Sequence, residues 1–154
     1  MELADLLTPG AIRVCNAVKS KKRLFQDLAE TASLAHGLDE SVAIDALQER
    51  ESLGPTGVGH GVALPHARID GIDQVRGVFI RLDRPLDYGS VDRAPVDLVF
   101  ALFAPRDAGV EHLKALALVS RTLRDPAVCA KLRANEETDK LFAILTQQTD
   151  TKAA

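Results

Sequence analysis

Apolar positions recur along the chain with two different periods, and the switch from one to the other marks the elements. Ile12, Val14 and their neighbours read as a short strand, after which Ser20 caps a helix whose Leu24, Phe25, Leu28, Ala32 and Ala35 form one apolar stripe ending at Gly37. Asp39 caps a second helix, with Val42, Ala43, Ala46 and Leu47 facing inward and Asp45, Gln48 and Glu49 outward, closed by Gly54-Pro55. Residues Gly54 to Gly61 form a glycine-rich loop that feeds a brief apolar run, Val62 to Leu64, stopped by Pro65 and followed at once by His66. Val75 to Leu82 and Val96 to Ala104 are strands, the second apolar almost throughout and so expected to be buried on both faces. A helix apolar on most sides follows from Gly109 to Leu123, with shorter helices over Pro126 to Leu132 and Glu137 to Leu145. Strands interleaved with enough helices to cover two faces predict a single-domain α/β sandwich over 1–154, with 1–10 and 147–154 as flexible ends.

Composition narrows the class. A length of 154 residues with 46% hydrophobic side chains suits one domain with its own core. Net charge is -3, and Lys and Arg are scattered apart from the cluster Lys19 to Arg23, which reads as the solvated first turn of a helix. A basic face for nucleic acid is therefore not expected. Met1 to Gly10 carries Glu2 and Asp5 but no basic residue and no long apolar run, unlike a secretory signal. No apolar run approaches the roughly 20 residues of a membrane span, so the expectation is a cytoplasmic chain without membrane insertion. Cys15 and Cys129 lie far apart in apolar surroundings and read as packed, reduced thiols.

Three side chains stand out as chemistry. His66 follows a rigid Val62-Ala63-Leu64-Pro65 run, so its imidazole is delivered to a defined place; a neutral imidazole can attack phosphorus and store the group as a labile N–P bond. The alternative is a loop histidine bonded to backbone. Arg50 lies three residues after Leu47, near the apolar side of its helix, where it either complements the helix C-terminus or grips phosphate oxygens. His112 falls in the first turn of the helix from Gly109, where free N–H groups favour anions; it either hydrogen-bonds a phosphoryl group on His66 or packs as an ordinary helix histidine. Thr56, Gly57 and Gly59 are candidates for a loop that approaches the phosphoryl group, the threonine through its hydroxyl. The loop precedes a strand and lacks G-x-G-x-x-G spacing, and neither a P-loop nor G-x-S-x-G occurs, so nucleotide binding and serine hydrolysis are not expected. His60, His66 and His112 can in principle offer three nitrogens to zinc, but no metal-binding spacing accompanies them. No metal, nucleotide or organic cofactor is expected.

The stretch from Glu51 to Ala67, with Val58-Gly59 and Val62-Ala63-Leu64-Pro65-His66-Ala67, resembles the phosphorylation-site signature of mannitol/fructose-type enzyme IIA domains of the bacterial phosphotransferase system. The likeness extends over nearly the whole chain and is closest to the nitrogen-type enzyme IIA. It implies a mixed β-sheet flanked by helices on both faces, and His66 as acceptor, at Nε2, of a phosphoryl group from a histidine-containing phosphocarrier protein. It also implies that His112 hydrogen-bonds the phosphoryl group and that Arg50 stabilises its charge. The implied role is regulatory, with targets such as potassium transport or sensing proteins. The alternatives are a sugar-specific enzyme IIA that passes phosphate to a IIB cysteine, and a pure anion-binding module in which His66 stays unmodified. Two departures are present: His60 stands where nitrogen-type proteins usually have Asn, and Ala67-Arg68 where Gly-Lys is commoner, which bears on partner preference.

Overall fold

Three strands pair directly with one long, almost wholly buried strand, and that strand fixes where everything else sits. The structure, a computed structural model, describes residues 1–16 and 18–147. Its strands are β1 (Ile12–Cys15), β2 (Gly57–Gly59), β3 (Val62–Ala63), β4 (His66–Ile69), β5 (Arg76–Leu86) and β6 (Val96–Pro105). Its α-helices are α1 (Leu3–Leu6), α2 (Lys21–His36), α3 (Glu40–Ser52), α4 (Val110–Leu123), α5 (Pro126–Arg133) and α6 (Thr138–Thr146). The sheet is mixed and runs β1-β5-β6-β3-β2. β5 and β6 are antiparallel, whereas β1 is parallel to β5 and both β3 and β4 are parallel to β6.

Side chains alternate across a strand, so β6 serves two cores at once. Leu98, Phe100, Leu102 and Ala104 belong to the core beneath α1, α4, α5 and α6, and Val99, Ala101 and Phe103 to the core beneath α2 and α3. Helices thus cover both faces, which explains the continuous apolar run in β6. Hydroxyl and carboxylate caps start the helices as the sequence suggests: Ser20 Oγ accepts the Arg23 N–H at 3.0 Å and Asp39 Oδ1 the Val42 N–H at 3.0 Å.

Several expectations are corrected. Residues 1–10 are not a loose end: Leu3, Leu6 and Leu7 are buried, and the Glu2 N–H is held by Asp5 Oδ2 at 2.8 Å. Burial of three leucines outweighs the ordering cost of so short a helix. The expectation for 147–154 falls, beyond Gln147, outside the described residues. Val42 is solvent-exposed, because only the Ala43 and Leu47 line of α3 meets the sheet side. Lys21 is not merely solvated: its Nζ donates to Glu51 Oε2 at 2.9 Å and lies 4.2 Å from the centre of the Tyr88 ring. Both cysteines are free thiols.

The expected loop at Gly57 to Gly61 is a hairpin, with β2 and β3 antiparallel and Gly59 opposite Val62. His60 and Gly61 form its two-residue turn at φ 58° and 80°. Positive φ at both positions is the mark of a type I′ turn, in which Asn-Gly is favoured and a bulkier side chain is strained. Gly61 is further required because a Cβ there would lie 2.5 Å from Arg133 Nη2. His60→Asn is therefore expected to stabilise the chain by about 0.5–1 kcal/mol, read as a higher urea midpoint at unchanged slope. A lower midpoint would mean that the imidazole makes a contact worth more than the turn strain.

Candidate functional site

Pro65 has no N–H to give to a ladder, and the chain passes it by changing from β3 to β4 along the same edge of β6. His66 is the first residue of β4, opposite Leu102. Ala67 and Ile69 pack into the core beneath α2 and α3, so alternation turns His66 and Arg68 to the other side, toward α4. Among the described residues no strand continues the sheet beyond β4, and this open edge is where the candidate residues meet.

His66 Nδ1 lies 2.8 Å from the Leu64 carbonyl oxygen. A carbonyl can only accept, so Nδ1 carries a proton, and in the neutral ring the lone pair is on Nε2. The ring of His112, in the first turn of α4, is 5.6 Å from that of His66, centre to centre, with the planes at 69°. His112 is buried, and among the described residues its Nε2 has no hydrogen-bond partner. Burial, then the charges of His66 and Arg68, push its pKa below the ordinary 6.5. Its neutral form is therefore favoured, and its unpartnered Nε2 is a polar atom that a ligand in the cleft could satisfy.

Arg50 reaches the same cleft from the last turn of α3, on the opposite face of the sheet. Its Nη1 donates to the Gly54 carbonyl at 3.1 Å, and among the described residues it forms no ion pair, which leaves most of its donor fork for an anion. The cleft has a volume of about 470 Å³ and is lined by Arg50, Leu53, His66, Arg68, Arg106 and His112 among others. Arg68 Nη1 donates to the carbonyls of Arg106 and Ala108, which tie the loop before α4 to β4. Arg106 pairs with Asp70 at 3.0 Å, but both are well exposed and the pair is worth at most about 1 kcal/mol. Gly109 precedes α4 without a side-chain cap, so the first-turn N–H groups around His112 are also unmet by side chains. Two imidazoles, several guanidiniums and a helix start thus border one cleft, a set suited to a transferable anion.

The structure brings Arg50, His66 and His112 together and leaves Thr56, Gly57 and Gly59 out of the cleft lining. Thr56 is buried, and its hydroxyl is committed to Glu51 Oε1 at 2.5 Å and to the Tyr88 phenol at 2.8 Å. Gly57 abuts Ser90, where a Cβ would lie 2.1 Å from Oγ, and Gly59 sits beside Asp92. Their small size makes room for the hairpin, not for a phosphate. His60 lines a different cavity, and among the described residues no group of three His, Cys, Asp or Glu side chains is placed to hold a metal ion. Arg68 is not among the sequence candidates, because β4 is too short to read as a strand; once the strand forms, alternation sets Arg68 on the face of His66.

Residues 5–148 match the family described as phosphoenolpyruvate-dependent sugar phosphotransferase system, EIIA 2. The chain is 45% identical over 145 residues to a nitrogen regulatory protein of Bradyrhizobium diazoefficiens, covering 94% of this chain and 95% of the relative. It is 36% identical over 149 residues to the nitrogen regulatory protein of Klebsiella oxytoca, covering 96% and 91%. Its fold is similar to the crystal structure of the nitrogen regulatory protein IIA-Ntr from Neisseria meningitidis, with a TM-score of 0.86 and 33% identity over 94% of this chain and 99% of the other.

Proposed function

The chain belongs to the EIIA 2 family of the phosphoenolpyruvate-dependent sugar phosphotransferase system, and from that premise we propose that it is a regulatory phosphocarrier which accepts a phosphoryl group on His66. The observation that carries this reading is the bond from His66 Nδ1 to the Leu64 carbonyl, which leaves Nε2 as the nucleophile beside His112 and Arg50. In the transfer, the Nε2 lone pair forms the new N–P bond while the bond to the donor's histidine nitrogen breaks, its electron pair staying on the donor. No proton needs to move, because the Nδ1–H of His66 stays on its nitrogen and keeps donating to the Leu64 carbonyl, whose oxygen helps offset the positive charge gained by the ring. Arg50 and His112 stabilise the equatorial oxygens as charge spreads over them.

The donor is a histidine-containing phosphocarrier protein, and the relatives' naming as nitrogen regulatory proteins supports signalling over sugar import. Phosphorylation adds nearly two negative charges to a cleft bordered by Arg50, Arg68, Arg106 and the exposed Leu53, so docking of a target there changes with the state of His66. Potassium transport or sensing proteins in the cytoplasm are targets of the kind implied. Transfer from phosphoenolpyruvate through enzyme I and a phosphocarrier tests the reading. Faster labelling by the nitrogen-type pair supports it, equal or faster labelling by the sugar-type pair favours a transport component, and no labelling by either overturns both.

Two further outcomes are expected. Arg50→Ala slows transfer by about 10²-fold with the fold intact, since a donor to developing charge is removed; an unchanged rate removes Arg50 from the chemistry. Phosphorylation places negative charge beside His112, so its pKa, held low in the free protein, is expected to rise in the phosphorylated state in an NMR titration. No rise would mean that its Nε2 does not meet the phosphoryl group.

A further inference from the structure

A chain of hydrogen bonds runs from the interior to the reactive imidazole, and its origin is the buried carboxylate of Glu51. Glu51 Oε2 accepts the Lys21 ammonium at 2.9 Å and the Thr56 N–H at 3.0 Å. Oε1 accepts the Thr56 hydroxyl at 2.5 Å and lies 3.2 Å from the Tyr88 phenol. Thr56 is thus gripped through both main chain and side chain. Its own carbonyl accepts the Leu64 N–H at 2.9 Å, and the Leu64 carbonyl accepts the Nδ1–H of His66 at 2.8 Å. Pro65 offers no N–H, so the peptide unit that presents the Leu64 carbonyl cannot be fixed through a donor of its own; it is oriented from the N-terminal side of Leu64, where Thr56 holds it, and by Pro65 O, which accepts the Leu102 N–H at 3.0 Å.

We propose that Thr56 is a positioning residue, whose hydroxyl, locked by Glu51 and Tyr88, holds the Leu64 carbonyl where it selects the His66 tautomer with a free Nε2. The inference rests on the reading of His66 as phosphoryl acceptor, but its physical content, the tautomer, exists before any phosphate arrives. It gives the hydroxyl at Thr56 a role unlike that of a phosphate ligand: it acts from behind the nucleophile, through two peptide groups. An imidazole released from Leu64 divides its proton between Nδ1 and Nε2, and the Nε2–H form has no lone pair where the reaction needs one. Groups that orient a reactive histidine from behind are commonly worth about 10–100-fold.

Thr56→Val keeps the shape and removes the hydroxyl, and Thr56→Ser restores it. Two readouts separate positioning from mere stability: the ring ¹⁵N shifts of His66 in the unphosphorylated protein, and the split between the maximal transfer rate and the KM for the phosphorylated carrier. Thr56→Val is expected to turn a single Nδ1–H tautomer into a mixture and to slow maximal transfer about tenfold at unchanged KM, with Thr56→Ser recovering both. Wild-type ring shifts and rate in Thr56→Val, or a Thr56→Ser chain no better than Thr56→Val, overturn the proposal. Should Thr56→Val fail to fold, Tyr88→Phe takes its place, with a shift in the same direction expected and wild-type shifts overturning. A wild-type chain that no carrier labels, yet whose tautomer depends on Thr56, removes the phosphocarrier reading and leaves the positioning role standing.

Discussion

His66→Ala is expected to take phosphoryl uptake from full labelling to none while the chain stays folded. The imidazole is half-buried and its one hydrogen bond goes to a backbone carbonyl, so its removal costs about 1 kcal/mol of stability, too little to unfold a domain of this size. None of the other three histidines is a ready substitute. His112 Nε2 is buried, and His36 Nε2 is engaged with the Gly77 carbonyl at 2.8 Å, while burial lowers the His36 pKa. His60 is exposed, but it stands at the hairpin turn and lines a separate cavity, away from Arg50 and His112. Intact-mass measurement before and after mild acid distinguishes a phosphohistidine from a phosphoester, because only the N–P bond is lost. Full labelling of the alanine variant would move the acceptor to His60 and sink the assignment of the cleft.

What the sequence made legible follows from how local each signal is. Helices α2 to α6 and strands β1, β5 and β6 carry their own periodicity and caps, so they are readable from windows of ten or so residues. Helix α1, the β2–β3 hairpin and β4 are too short for any period to show; α1 exists because Leu3, Leu6 and Leu7 find a core, and β4 because β6 offers an edge. Arg50, His66 and His112 are each visible as a polar group in an unusual local setting, and the long signature around His66 ties them to one family. That they share a cleft is a matter of topology: β4 and α3 pack against each other, and α4 follows β6 through a loop held by Arg68. The interior placement of Thr56 is hidden for the same reason. Nothing near Thr56 in sequence announces Tyr88, and Lys21 lies 30 residues before Glu51, so a hydroxyl that belongs to an interior network reads, locally, as one available to a ligand.

Glu51→Ala is expected to lower stability by about 3 kcal/mol or more at pH 7, because one carboxylate satisfies a buried hydroxyl, a backbone N–H, a phenol and an ammonium. For about 150 residues, each kcal/mol moves Tm by about 2–4 °C, so the loss is about 6–12 °C. Lys21 can turn toward water, but Thr56 and Tyr88 cannot; burial pushes the Tyr88 phenol far up, so it stays a donor in search of an acceptor. The pH dependence separates charge from packing. Burial alone would raise the Glu51 pKa, yet the Thr56 hydroxyl, the Lys21 ammonium and the Thr56 N–H together hold it below the ordinary 4.5. The folded chain therefore binds that proton less readily than the unfolded chain does. The stability Glu51 contributes is fully present above about pH 4.5 and is lost as pH falls through the lower, folded-state pKa. Wild type and Glu51→Ala should accordingly differ most near neutrality and converge in acid. A difference that stays constant from pH 7 to about pH 3 would mean that Glu51 acts by filling space and not as a charged acceptor, and the hydrogen-bond chain to Leu64 would lose its anchor.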